Sequence, residues 1–129
     1  MASIFSRIVA GEIPCHKVLE DEHFLAFLDI DPLRAGHTLV IPKQEVDYLF
    51  DVDDALLSAM LPFAKQVAIK IKRVVPCRRV GMLVLGMEVP HAHLHLVPIN
   101  AERDLDLGQA RPGITPEQLA EMAELLRKA

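Results

Sequence analysis

The segment VPHAHLHLVP sets His91, His93 and His95 at alternate positions, with Ala92, Leu94 and Leu96 between them. Successive side chains of a β-strand point to opposite faces, so this segment, read as a strand, carries imidazoles on one face and only apolar groups on the other. The apolar face has to be covered by a core. Each imidazole on the opposite face has to be solvated or hydrogen-bonded. Half of the chain's six histidines are spent here, and the polar face is therefore read as a site. The isolated His16 and His23 read as surface or satisfied structural residues.

A chain of 129 residues, 51% hydrophobic and without a long low-complexity or Gly/Ser-rich tract, is expected to form one domain with a real core. The N-terminal MASIFSRIVAGEIP lacks the basic-plus-apolar pattern of a signal peptide. No apolar run approaches the roughly 20 residues that span a bilayer. These features place the protein in the cytosol, away from a membrane. A formal charge of −4 with mixed signs offers no broad basic surface to a nucleic acid. Cys15 and Cys77 fit neither a disulfide scaffold nor a metal spacing and are expected to be free thiols.

Along the chain, Ser3 is a candidate N-cap of a short helix whose apolar Ile4, Phe5 and Ile8 share a side and which stops at Gly11. HKVLED and HFLAFLDI read as two strands around Asp21-Glu22, and GHTLVIP as a third, which makes an antiparallel meander. From about Asp53 to Val74, Leu56, Leu57, Met60, Ala64, Val67, Ala68 and Ile71 recur at helical spacing. Pro62 falls inside this long helix and should kink it. RRVGMLVLG reads as a buried strand beside the histidine strand. The polar run NAERDLDLGQARPG reads as a loop near the exit of that strand, and TPEQLAEMAELL as a C-terminal helix with Thr115 and Gln118 in a capping box. The fold class is α+β.

Two chemistries compete for the three histidines. Zinc needs nitrogens at about 2.0–2.1 Å, whereas alternate strand residues are about 6.6 Å apart and the outer pair about 13 Å. Two neighbours could share an ion but three could not easily do so, and a further ligand would have to come from Glu88 or His37. Nucleophilic catalysis suits the spacing better. A neutral imidazole can attack phosphorus to form a phosphoramidate, while its neighbours hydrogen-bond phosphate oxygens and leaving group. His93 is the member with partners on both sides. No GxxxxGK[ST] loop is present to hold phosphate. Asp29, just past the apolar run in AFLDIDP, can accept hydrogen bonds from both hydroxyls of a ribose, and reads equally well as a strand-end turn residue.

HAHLHLVP resembles the His-x-His-x-His-x-x signature of the histidine triad family of nucleotide hydrolases and transferases. The likeness extends from about Ser3 to Ile99 through SIFSRIVAGEIP and FLAFLDIDPLRAGHTLVIPK. It implies a single histidine triad domain over residues 1–129, its core at about 3–99 and a C-terminal loop and helix at 100–129. The implied fold has a meandering antiparallel sheet, one long helix and short terminal helices, and the implied assembly is a homodimer whose sheets join. By the same resemblance His93 is the nucleophile on the α-phosphorus of an AMP-like purine nucleotide, His95 binds phosphate oxygens, His91 orients His93, and His37 lies behind the triad. Ile4, Phe5, Ile8, Phe27, Ile30 and Leu39 would hold the base and Asp29 the ribose. No cofactor is implied.

Two departures from that pattern bear on chemistry. Many relatives begin with a Cys-x-x-Cys that contributes to a zinc site, and here those positions are Ser3 and Ser6, so no structural zinc is expected. Relatives often have a longer Gly-rich loop before the triad ending in a neutral leaving-group contact, where this chain has LGMEVPH with Glu88 in the equivalent place. The expected activity is that of a phosphoramidase cleaving at the α-phosphate through nucleotidyl-His93. The rivals are hydrolysis of dinucleoside polyphosphates, for which the RRV segment or Arg103 and Arg111 could supply a basic surface, and a nucleotide-binding regulatory module with little turnover.

Overall fold

The computed structural model describes residues 2–129. Its elements are helix α1 (Ile4–Val9), strands β1 (Lys17–Glu20), β2 (Phe24–Leu28) and β3 (Thr38–Pro42), the long helix α2 (Asp54–Val74), strands β4 (Arg79–Leu83) and β5 (Leu94–Ile99), and helix α3 (Pro116–Lys128). The five strands form one antiparallel sheet in the order β1-β2-β3-β5-β4. The architecture is α+β, and the meander holds for the first three strands. β5 then inserts beside β3, which carries β4 to the outer edge.

Period-two alternation sorts the sheet into two faces. Phe24, Ala26 and Leu28 of β2, Val40 of β3, and Leu94 and Leu96 of β5 form one buried cluster with Met60, Phe63, Ala64, Val67 and Ile71 of α2 and with Leu119, Ala123 and Leu126 of α3. Ile71 and Val67 are fully buried, and truncating such an aliphatic side chain to alanine costs about 2–5 kcal/mol for isoleucine. Phe63, three residues after Met60 and four before Val67, belongs to this stripe as well. α2 runs unbroken through Pro62. Leu25 and Phe27 of β2 and Leu39 and Ile41 of β3 point the other way and pack with Phe5 of α1. Two helices therefore cover one face, and only the six-residue α1 sits on the other, which leaves room for a cavity there.

The caps follow the expected chemistry. Ser3 Oγ accepts from Ser6 N at the start of α1, Asp53 from Leu56 N at the start of α2, and Thr115 shares a reciprocal capping box with Gln118 at the start of α3. Gly11, at φ 81°, follows α1 in the left-handed region that glycine tolerates. The segment after β5 contains a 3-10 turn at Glu102–Leu105. Lys70 of α2 donates to the carbonyls of Leu126, Arg127 and Ala129, closing the C-terminal end of α3.

Two expectations need correction. RRVGMLVLG is not a fully buried strand: its ordered part is Arg79–Leu83, it lies at the sheet edge, and it is only half-buried. The histidine segment is not one strand either, since His95 alone lies within β5 while His91 and His93 precede it. The register explains this. Thr38, Leu39 and Val40 pair with Leu96, His95 and Leu94, so continuing the ladder would set Pro42 opposite Ala92. Proline has no N–H to give the ladder, and Ala92 N donates instead to Val46 O at 2.7 Å.

Candidate active site

Leaving the ladder early gives the three triad histidines different surroundings. His91 is fully buried. Its Nε2 lies 2.8 Å from the carbonyl of Pro42 and its Nδ1 2.8 Å from Ser3 Oγ. A carbonyl only accepts, so Nε2 carries the proton and Nδ1 accepts from the Ser3 hydroxyl. Burial holds the His91 pKa below the ordinary imidazole value, partly offset by the Pro42 carbonyl.

His93 comes two residues later, and its Nδ1 lies 2.7 Å from the His91 carbonyl. The same logic puts the proton of the neutral ring on Nδ1 and leaves the Nε2 lone pair free. The ring is nearly buried, edge-on to Phe5 with centroids 5.1 Å apart, and lines the cavity described below.

His95, opposite Leu39, is reached by a relay that starts in the backbone. Leu33 N–H donates to His37 Nδ1 at 3.0 Å, so His37 Nε2 bears the proton and donates to His95 Nδ1 at 2.9 Å. The remaining proton of the neutral His95 ring is then on Nε2. Burial is the main cause that lowers His37 to about 3 and His95 to about 4, with neighbouring imidazoles and Arg111 adding to it. Both rings are therefore neutral at neutral pH, and the 3.6 Å approach of His37 Nε2 to Asp29 Oδ2 is not an ion pair there.

These side chains face a cavity of about 470 Å³ between α1, the sheet and the segment that precedes the triad, within the range of small-molecule sites. Ile4, Phe5, Ile8, Phe27, Ile30 and Leu39 all line it, as do Asp29, Glu88, His37, His93 and His95. His91 is the one anticipated residue that does not; it sits behind the wall. Phe5, Phe27 and Leu39 are buried and also form core, whereas Ile4 and Ile30 are 49% and 76% exposed at the mouth. Asp29 Oδ1 accepts from Asp31 N at 2.8 Å, and burial raises its carboxyl above the usual range. Glu88 is exposed at the rim.

Sequence reasoning reached Arg111 only as a basic residue of a C-terminal loop. It lines the cavity, held by donation to the carbonyls of Asp31 at 2.8 Å and Leu107 at 2.9 Å. Ile13, Cys15, Met87 and Leu107 also reach the wall. No local pattern marks any of them, because each arrives through a loop. Burial raises the Cys15 thiol above its ordinary pKa, which disfavours the reactive thiolate.

One family model, that of the HIT domain, matches residues 10–102. The chain belongs to the HIT domain family. Among curated relatives, this HIT protein is 36% identical to the adenosine 5′-monophosphoramidase hnt1 of Schizosaccharomyces pombe, over 96% of this chain and 95% of that one. A Hit-like protein from Bartonella henselae, described as involved in cell-cycle regulation, superimposes with a TM-score of 0.84 at 29% identity, covering 98% of this chain and 95% of the other. A zinc-bound histidine triad family protein from Mycobacterium smegmatis gives 0.82 at 30% identity, covering 99% and 92%.

The serine pair of this HIT domain does not suit zinc. Ser3 and Ser6, which stand at the thiolate positions of the resemblance, present hydroxyls; that of Ser6 donates to Glu45, and alcohols are not among the usual zinc ligands. Asp29, His37 and His95 do offer ligand atoms within 4.8 Å of one another. Two of these atoms, His37 Nε2 and His95 Nδ1, are joined in the structure by a 2.9 Å hydrogen bond. No helix of the described residues is long and apolar enough to cross a membrane.

Proposed function

We propose that the protein is a nucleotide hydrolase cleaving phosphoramidate-type derivatives of AMP-like purine nucleoside 5′-phosphates at the α-phosphorus, through a nucleotidyl-His93 intermediate. The observation that carries this reading is the proton arrangement of the triad. His93 Nδ1–H is anchored on a carbonyl, so its Nε2 lone pair is available at the cavity, and His95 carries its free N–H on Nε2 beside it.

In the first step His93 Nε2 attacks phosphorus, and the bond to the leaving nitrogen breaks as that nitrogen takes a proton from solvent and departs as an amine. In the second, water attacks phosphorus, the bond to Nε2 breaks, and the proton of the water returns to solvent with release of the nucleoside 5′-monophosphate. The neutral His95 Nε2–H stabilises charge on the phosphate oxygens in both steps. The apolar mouth formed by Ile4 and Ile30 takes the base, and Asp29 takes the ribose. A second substrate class is favoured by one observation: Arg111 in the cavity wall suits an anionic leaving group such as the second nucleotide of a dinucleoside polyphosphate.

The reading also includes a homodimer formed edge to edge through β4, supported by the unpaired outer edge of that strand. Assay of wild type and His93→Ala on a panel of adenosine phosphoramidates and dinucleoside polyphosphates tests the catalytic reading. The variant should lose at least about a thousandfold in kcat while keeping its fold and its affinity for AMP. Undiminished turnover by folded His93→Ala overturns the nucleophile assignment.

A further inference from the structure

Glu45 lies outside the cavity, yet it is tied to the triad through the two serines. Glu45 Oε1 accepts from Ser3 N at 2.6 Å and from Ser6 Oγ at 2.7 Å. The Ser3 hydroxyl in turn reaches His91 Nδ1 at 2.8 Å, with Ser6 Oγ 3.3 Å from the same nitrogen. The next residue, Val46, accepts the backbone N–H of Ala92. One short loop thus grips both the start of α1 and the histidine segment.

We propose that Glu45, acting through Ser6 and Ser3, is a positioning residue for the triad: a hydrogen-bonded clasp that holds the His91 ring between the Ser3 hydroxyl and the Pro42 carbonyl and with it the placement of His93. The proposal rests on the reading of His93 as nucleophile. Its logic is a matter of donors and acceptors. His91 can give Nε2–H to Pro42 and receive at Nδ1 only while a donor stands at Nδ1, and the Ser3 hydroxyl is that donor. Ser6 cannot compete for the role, since its own proton is drawn to the carboxylate. The carboxylate is unusually well satisfied for an exposed group, and these hydrogen bonds lower it to about 2, so it stays an acceptor throughout the neutral range.

The consequence passes through the backbone, because the carbonyl of His91 is the group that holds His93 Nδ1–H. α1 is fastened by the same carboxylate, and α1 carries Phe5, whose ring packs edge-on against both His91 and His93. Loss of the clasp therefore frees the orientation of the nucleophile together with one wall of the cavity.

The test uses the full chain labelled with ¹⁵N at histidine, so that ring tautomers are read without substrate, alongside kcat and KM. In wild type His91 should be the Nε2–H form and His93 the Nδ1–H form. In Glu45→Ala and in Ser3→Ala the His91 Nδ1 resonance should shift toward that of a ring nitrogen with a weakened or missing hydrogen bond, and kcat should fall on the order of tenfold, as expected for a misplaced nucleophile. Glu45→Gln keeps an acceptor oxygen and should recover most of both signals. An unchanged His91 Nδ1 resonance and unchanged kcat in folded Glu45→Ala and Ser3→Ala overturn the proposal, as does a rise in KM alone, which marks a merely structural role for α1. Each of these results leaves the nucleophile assignment to be judged separately by His93→Ala.

Discussion

At the scale of single residues, the chemistry proposed for this HIT domain turns on which nitrogen of each histidine carries a proton. Partners that can only accept, the carbonyls of Pro42 and His91, and one that can only donate, the N–H of Leu33, decide it. These anchors are backbone groups, and the side chains that pass their effect on, Ser3 at His91 and His37 at His95, come from distant parts of the chain, so the identities of the histidines were readable from the spacing while their tautomers were not. Glu88 offers a second case at this scale. It lines the rim of the cavity, and a carboxylate can greet a cationic amine but repels a phosphate. Glu88→Gln removes the charge and supplies an amide donor. The ratio of kcat/KM for dinucleoside polyphosphate to that for a simple phosphoramidate should rise by about tenfold, or about 1.4 kcal/mol. An unchanged ratio in the folded variant assigns leaving-group choice to Arg111 and the shortened loop instead.

At the scale of elements, alternation and helical spacing foresaw the strands, the long helix and the capping box of α3, because each is a local consequence of side-chain period. Two failures share a physical cause. The histidine strand was read too long because Pro42 ends the ladder from the neighbouring strand, a contact between positions about 50 residues apart in the chain. β4 was read as buried because its run of apolar residues is that of a central strand, although Met82 is 47% exposed in the structure. An open apolar edge is suited to pairing with a second copy. Met82→Lys places a charge on that edge, and light scattering should show a shift from dimer to monomer. A variant that stays dimeric, or a wild type that is monomeric at micromolar concentration, excludes assembly through β4.

At the scale of the whole molecule, the site imposes a pH dependence on stability. His37 and His95 titrate at about 3 and about 4 in the folded state against 6.5 as the ordinary value. The unfolded chain therefore binds more protons than the folded one between these values. The stabilising contribution is complete above about pH 6.5 and is lost progressively as pH falls toward 4. The lowered carboxyl of Glu45 adds a loss in the same direction below its ordinary value of 4.5, and the raised carboxyl of Asp29 opposes it in part. Denaturant unfolding should show the midpoint falling between pH 6.5 and 4.5, with a shallower fall in His37→Gln; equal midpoints across that interval contradict the buried neutral relay. The overall architecture was readable because the triad and its flanking strands resemble a known family, but the C-terminal segment that brings Leu107 and Arg111 to the wall lies beyond the matched residues 10–102. No pattern in its own sequence says where it returns.

The central claim is that His93 Nε2 forms a covalent bond to the α-phosphorus. Rapid acid-free quenching of enzyme mixed with a stoichiometric amount of α-³²P-labelled adenosine phosphoramidate, followed by mass mapping, tests it most directly. A transient, acid-labile and base-stable nucleotidyl group should form on His93 and decay fast enough to carry turnover. Full single-turnover conversion with no adduct at any time, or an adduct on another residue, contradicts it.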